Sequence, residues 1–417
     1  MNGILWNEEF EKVTKVREYI KNSWIKAVKD KATREDFPLP FDYIPPCIDG
    51  SLTDLYYWDT YFTNKGLYID GLREYAYNNI QNLKYCLNKF GCVPNMCTID
   101  GADLCSQPPL LCLMVDDYYE QTKDLLFLAD SYQALEKEYS FWMTKRICEN
   151  GLNRYGTHYD FSEQGQEHID YFTDRLGIDV SGWTRGQIAE LCENLVAEAE
   201  SGEDFTPRFL HQAKYINPID LNCYLYAFEK CMAKFSTILG QGKEEEWETL
   251  AQKRAERMKK YCYDEKTGIF FDYNYQTNTR GNVIAVACYL PVVFGIYQDK
   301  RALASINEQL ICDNGVASCQ EIMGEEEKFQ WGYPNCWAPH QYWAYIANQK
   351  ANNFEKAKEI ARKYLLNLAN EFDKSGKLFE KYDAVKGGKA VVNEYGCPEM
   401  LGWTAGVFAV LFSETGV

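Results

Sequence analysis

The chain is poor in the residues that metal, nucleotide and membrane chemistry require. It has four histidines, His158, His168, His211 and His340, scattered singly. Its 16 cysteines form no CxxC pair, so no zinc-ligand spacing can be built and neither a metal nor another cofactor is expected. No Gly-rich phosphate loop, dinucleotide fingerprint or His-containing triad pattern occurs. No apolar run reaches the roughly 18 residues that span a bilayer. The nearest stretch, Ile284 to Ile296, is too short and contains Pro291. Basic residues are in deficit: 44 Lys and Arg stand against 61 Asp and Glu, a net charge of −17. That balance argues against nucleic acid and anionic membranes as partners, since phosphate contacts need clustered Lys and Arg. Met1 to Lys12 lacks the basic and apolar regions of a signal peptide. With scattered thiols suited to a reducing compartment, the expected location is cytoplasmic. Strand signals are scarce; Ile269 to Tyr273, after the turn Asp264 to Gly268, reads as a short hairpin.

Helical periodicity dominates what remains. Phe10, Val13, Val16, Ile20, Trp24 and Val28 recur at three- and four-residue steps, as do Leu126, Ala129, Tyr132, Leu135, Tyr139 and Trp142. Further stripes run from Leu221 to Phe235, Trp247 to Met258 and Phe354 to Leu368, and an apolar helix runs near Trp403 to Phe412. The acidic run Glu244 to Glu246 suits a helix N-terminus, where carboxylates meet the positive end of the dipole. Counting weaker stripes gives about twelve helices, or six hairpins. No Pro-, Ser- or Gly-rich linker divides them. The expectation is an all-α (α/α)6 barrel as one domain over residues 1–417, with 1–45 an N-terminal helix and lead-in loop. An irregular helical bundle is the other architecture that the periodicity allows.

Function is read from the loops between helices. Five are dense in Gly, Pro, Trp, Asp and Glu: Gly50 to Asp59; Val93 to Asn95 with Ser106 to Pro109; Glu200 to Phe209; Gln330 to Pro339; and Glu380 to Asp383 with Asn393 to Tyr395 and Gly402 to Thr404. The 10 Trp, 31 Tyr and 22 Phe offer flat apolar faces for stacking on sugar rings. Carboxylates and amides beside them suit sugar hydroxyls. Glycoside hydrolysis needs two carboxyls flanking one glycosidic bond, one giving a proton and one ionised.

At these residues the chain resembles the trehalase-like glycoside hydrolases. The motifs that carry the likeness are Tyr56-Tyr-Trp-Asp59, Pro94-Asn95, Ser106-Gln-Pro-Pro109, Glu200-Ser-Gly-Glu-Asp204 with Arg208, Gln330-Trp-Gly-Tyr-Pro-Asn-Cys-Trp-Ala-Pro339, Glu380-Lys-Tyr-Asp383, Glu394-Tyr395 and Gly402-Trp-Thr404. They run in order from about residue 45 to 412. The resemblance implies an (α/α)6 barrel, Asp204 as general acid and Glu380 as general base, with inversion at the anomeric carbon. It implies Trp58, Asp59, Asn95, Gln107, Gly202, Trp331, Trp337, Glu394 and Trp403 as substrate-binding, Glu394 being the rival for the base. A general acid has to stay protonated, which burial among apolar groups supplies.

The departures are arginines. Trehalases carry Arg where this chain has the Ser51 region, Cys105, and a segment near Gly165-Gln-Glu167-His168. Their second signature has Asp where Gly332 stands. A guanidinium fork is not replaceable by Cys or Ser. The resemblance therefore implies a retained site for the first sugar and a rebuilt leaving-group site. The expected function is an exo-acting, α-glucosidase-like hydrolase of a small α-linked disaccharide or glycoside, such as another glucobiose, glucosylglycerate or mannosylglycerate. The alternatives are a trehalase proper, a sugar epimerase or isomerase, and an inactive sugar-binding protein on the same toroid. Four histidines outside the five loops speak against the epimerase. Sequence alone assigns no oligomeric state.

Overall fold

Fourteen α-helices occur among the described residues of the computed structural model, which are 2–30, 39–97, 105–163, 166–297, 299–324, 329–390 and 395–415. They are α1 (Asn2–Ala27), α2 (Tyr57–Ile69), α3 (Arg73–Phe90), α4 (Leu111–Thr122), α5 (Leu125–Lys145), α6 (Gln166–Leu176), α7 (Arg185–Ser201), α8 (Ile219–Leu239), α9 (Glu244–Tyr261), α10 (Leu290–Val293), α11 (Lys300–Leu310), α12 (Ala338–Lys350), α13 (Phe354–Ser375) and α14 (Gly402–Thr415). Six of them close a ring: α2 packs on α4, α4 on α8, α8 on α10, α10 on α12, α12 on α14, and α14 back on α2. α3, α5, α9, α13 and α1 pack outside these, and α11 lies against the 3₁₀ turn Val286–Tyr289 that leads into α10. This is the (α/α)6 barrel.

Sequence pattern explains which helix goes where. Inner helices touch neighbours all round and so are apolar all round. In α14 every residue from Gly402 to Ala409 is buried. The outer helix α13 keeps a stripe instead: Ala357, Ile360, Ala361, Tyr364, Leu365 and Leu368 are buried, while charged residues hold the other face. In α1 the stripe Val13, Val16, Ile20 and Trp24 is fully buried, and the Trp24 indole N–H donates to Asp70 at 2.8 Å. The tightest crossing is α2 on α14. A Cβ on Gly406 would lie 2.1 Å from the Phe62 carbonyl oxygen, and one on Gly66 2.6 Å from the Gly406 Cα. Only glycine lets these two backbones approach so closely.

Two stretches fold differently from their sequence signals. The membrane-like run Ile284 to Ile296 becomes the 3₁₀ turn and α10, apolar because it is part of the inner ring. At the expected hairpin, only a Tyr263–Phe270 bridge closes the turn. The paired strand is Tyr273–Asn274, which joins Ile216–Asn217 on one side and Thr279–Arg280 on the other. Helices α6 and α7 pack on each other beside the ring. They build a second apolar cluster from Phe161, Ile169, Phe172, Cys192, Leu195, Val196 and Phe205.

Candidate active site

Loops at one end of the ring surround a cavity of about 680 Å³. Its described lining includes Ser51, Trp58, Asp59, Asn95, Gln107, Gly202, Asp204, Trp331, Glu380 and Trp403. Segments far apart in sequence meet here because backbone and side-chain ties bind the loops together. The Trp58 N–H, in the first turn of α2, donates to Gln107 Oε1 at 3.0 Å. Asn95 is held by Tyr57 N–H on its carbonyl and by donating its own N–H to Cys105 O. Glu200, at the end of α7, accepts from the Ser106 and Gly156 N–H groups and pairs with both Nε and Nη2 of Arg146. The Trp331 N–H donates to Phe205 O at 3.0 Å, tying the second signature to the Asp204 loop.

An aromatic wall stands on this frame. The Trp58 ring meets Trp331 at 5.7 Å and Trp403 at 5.9 Å between centroids. Trp331 stacks face to face on Trp337, 3.8 Å apart and 6° from parallel. Trp337 is 0% exposed and does not reach the cavity. It backs Trp331, with Lys381 Nζ 5.1 Å from its ring centre, so of this stacked pair only Trp331 faces the cavity. Gly202 ends α7 in the left-handed conformation, φ +75°, and a Cβ there would sit 2.8 Å from Trp58 Cε2. Its contribution is room for the tryptophan. Glu394 lies outside the described residues.

The carboxyls differ sharply in surroundings. Glu380 is 2% exposed and accepts from the Tyr395 hydroxyl at 2.9 Å on Oε1, while its buried Oε2 has no hydrogen-bond partner among the described residues. Burial pushes its carboxyl up to about 7, against the pull of Lys381 and Tyr395. Asp59 is raised well above the usual carboxylate range, first by burial and then by Glu380. Asp204 is not enclosed by apolar groups. Its side chain is 25% exposed, and Oδ2 accepts from Arg175 Nη2 at 2.8 Å. The apolar burial expected around Asp204 surrounds Glu380 instead, because α6 brings a guanidinium to the aspartate. Arg208 is structural: fully enclosed, it pairs with Glu203, Asp220 and Asp272 and fixes the loop that carries Asp204. His340 completes this cluster 3.2 Å from Glu203.

Sequence reading missed four lining residues with chemistry: Tyr56, Tyr171, Arg175 and Tyr395. Tyr56 and Tyr395 sit inside motifs beside recognised residues, a signal that could have found them. Tyr171 and Arg175 belong to no motif and reach the cavity only through the placement of α6.

A helical ring with paired carboxyls and a tryptophan wall at one end defines a barrel glycoside hydrolase acting on a small carbohydrate. The family model for trehalase matches residues 5–416, and the chain belongs to the trehalase family. Relatives include a periplasmic trehalase of Xanthomonas campestris pv. campestris (strain 8004), 29% identical over 96% of this chain and 73% of its own. Another, from Salmonella agona (strain SL483), is 28% identical over 94% of this chain and 72% of its own. Among solved structures, neutral trehalase Nth1 from Saccharomyces cerevisiae superposes with TM-score 0.75 at 23% identity, over 95% of this chain and 79% of that one. The GH63 mannosylglycerate hydrolase of Thermus thermophilus gives 0.62 at 16% identity, over 89% and 96%.

These relatives, named for the periplasm, overturn the expectation of a cytoplasmic protein. The thiols that suggested it report burial rather than compartment. None of the 16 is held in a disulfide, and all but the half-buried Cys148, Cys231 and Cys312 are buried. A thiol shut in apolar surroundings is inert wherever the protein resides.

Proposed function

We propose that the protein is an inverting, exo-acting α-glycosidase with Asp204 as general acid and Glu380 as general base. The observation that carries this is the convergence of both carboxyls on one tryptophan-walled cavity. Trp58, Trp331 and Trp403 stack on the first sugar, and Asp59, Asn95 and Gln107 meet its hydroxyls. Ionised Glu380 takes a proton from water through Oε2. The water oxygen bonds to the anomeric carbon from one face as the bond to the leaving oxygen breaks on the other. The Asp204 proton passes to that oxygen. The substrate is a small α-glycoside other than trehalose, a reading supported by Ser51 lining the cavity at the region where trehalases carry arginine.

The burial of Glu380 favours a second reading in which the two roles are exchanged, since a general acid is commonly a carboxyl raised towards neutrality. One experiment separates them. A general acid matters little when the leaving group is already good, as in an aryl glycoside. Asp204→Asn is expected to lose about 10³-fold on an α-linked disaccharide yet far less on p-nitrophenyl α-glucoside, while Glu380→Gln loses on both. The reverse pattern exchanges the roles, and near-wild-type turnover by both variants discards the mechanism. NMR of the first-released sugar as the β-anomer supports inversion.

A further inference from the structure

Arg175 is the only cation among the described residues that line the cavity, beside Asp59, Asp204 and Glu380. It comes from α6, whose Ile169 and Phe172 anchor one face in the second apolar cluster. Tyr171 and Arg175, one turn apart, form the other face and line the cavity. Tyr171 is 61% exposed, an aromatic held out beside the opening rather than packed away. The Arg175 guanidinium lies 5.0 Å from the Phe205 ring centre and 5.9 Å from that of Tyr395, which fixes its plane while Nη2 holds Asp204 Oδ2. Two aromatic faces and a carboxylate make a built guanidinium site, a single hydrogen bond from the proposed acid.

Position determines what this guanidinium meets. An oxygen that receives the Asp204 proton is the glycosidic oxygen of the leaving group. Whatever is bonded to the carbon bearing that oxygen therefore lies within reach of Arg175. With Oδ2 occupied, productive binding has to exchange the Arg175–Asp204 contact for one with substrate. A carboxylate is the group best able to do so, because it matches a planar guanidinium with two oxygens, whereas a sugar hydroxyl offers one neutral acceptor. We propose that Arg175 is the specificity-determining residue of the leaving-group side and that the preferred substrate is the α-glycoside of a 2-hydroxy acid, its carboxylate adjacent to the glycosidic oxygen. This rests on the α-glycosidase reading above. Hydrolysis then releases the sugar and the free hydroxy acid, the Asp204 proton ending on its hydroxyl.

The test compares kcat/KM on 2-O-α-glucosylglycerate, 2-O-α-mannosylglycerate, the neutral 2-O-α-glucosylglycerol, trehalose and p-nitrophenyl α-glucoside, for wild type, Arg175→Met and Arg175→Lys. The wild type is expected to favour its better glycerate over glucosylglycerol by about 100-fold, the scale of one charge-assisted pair. Arg175→Met collapses that ratio to within about fivefold of unity, and Arg175→Lys, which keeps the charge without the fork, falls between. The ratio reads discrimination independently of any general loss of activity. Equal rates on acid and neutral glycosides, or a ratio that survives Arg175→Met, each overturn the proposal while leaving the glycosidase reading intact, and a preference for trehalose overturns it together with the reading that the substrate is not trehalose. Failure to cleave any of the five, the aryl glycoside included, removes the glycosidase reading and this proposal together.

Discussion

Glu380 shows how one side chain is tuned by opposed forces. Burial and the neighbouring Asp204 carboxylate disfavour its charge, and the Lys381 ammonium and Tyr395 hydroxyl restore it. Cys47, Cys397 and Asp59 also face it. As the proposed base, Glu380 works only when ionised, so kcat/KM is expected to fall as pH drops through about 7. Tyr395→Phe removes a hydrogen bond that favours the ionised form. The acid limb of the profile should then move to higher pH. A purely structural role for Tyr395 would lower the rate at every pH and leave the limb where it was, and that result would refute the tuning. Asp204 is governed from two sides: Arg175 Nη2 donates to its Oδ2, and a buried cluster holds the loop that carries it. In that cluster Glu203, Asp220 and Asp272 enclose the Arg208 guanidinium.

At the scale of elements, the glycine pair between α2 and α14 is the most demanding contact. Gly406→Ala drives a methyl group into the Phe62 carbonyl, and no side-chain rotamer relieves a clash with backbone. A loss of about 3 kcal/mol or more is expected, read as a lower urea midpoint. An unchanged midpoint would show that the helices separate without cost. Long helices such as α5, α8 and α13 were legible because a 3.6-residue stripe is a local signal that survives without neighbours. α10 and its 3₁₀ turn were not, since a short element buried on all sides has no stripe to show. α6 escaped for the opposite reason: its packing against α7 is a tertiary event. The site divides the same way. Trp58, Asp59, Gln107, Asp204, Trp331, Glu380 and Trp403 were legible because chemistry and motif coincide in short segments. Arg175 and Tyr171 are brought in by a helix, and only coordinates separate the front of the Trp331–Trp337 stack from its back.

The whole molecule explains its unusual thiol content. A ring of helices buries two faces, so small apolar residues are needed throughout, and cysteine serves as one of them. Ellman's reagent is expected to find no more than three reactive thiols in the native protein, Cys148, Cys231 and Cys312, and all 16 after denaturation. A native count well above three would mean that the interior opens readily and would overturn the burial seen in the structure. Exposed ion pairs such as Lys15–Asp373 and Lys230–Glu248 are each worth little on their own.

The ring has one further consequence, in the order of events during synthesis. The wall proposed to receive the first sugar joins Trp58 at the start of α2 to Trp403 at the start of α14. These are the first and last members of the inner ring, separated by most of the chain and brought together only when the circle closes. A nascent polypeptide can therefore build nearly every helix pair in turn and still have no sugar pocket. On the proposed function, binding competence is expected late and at once, when α14 docks on α2, and a chain that stops short of α14 is expected to bind no sugar.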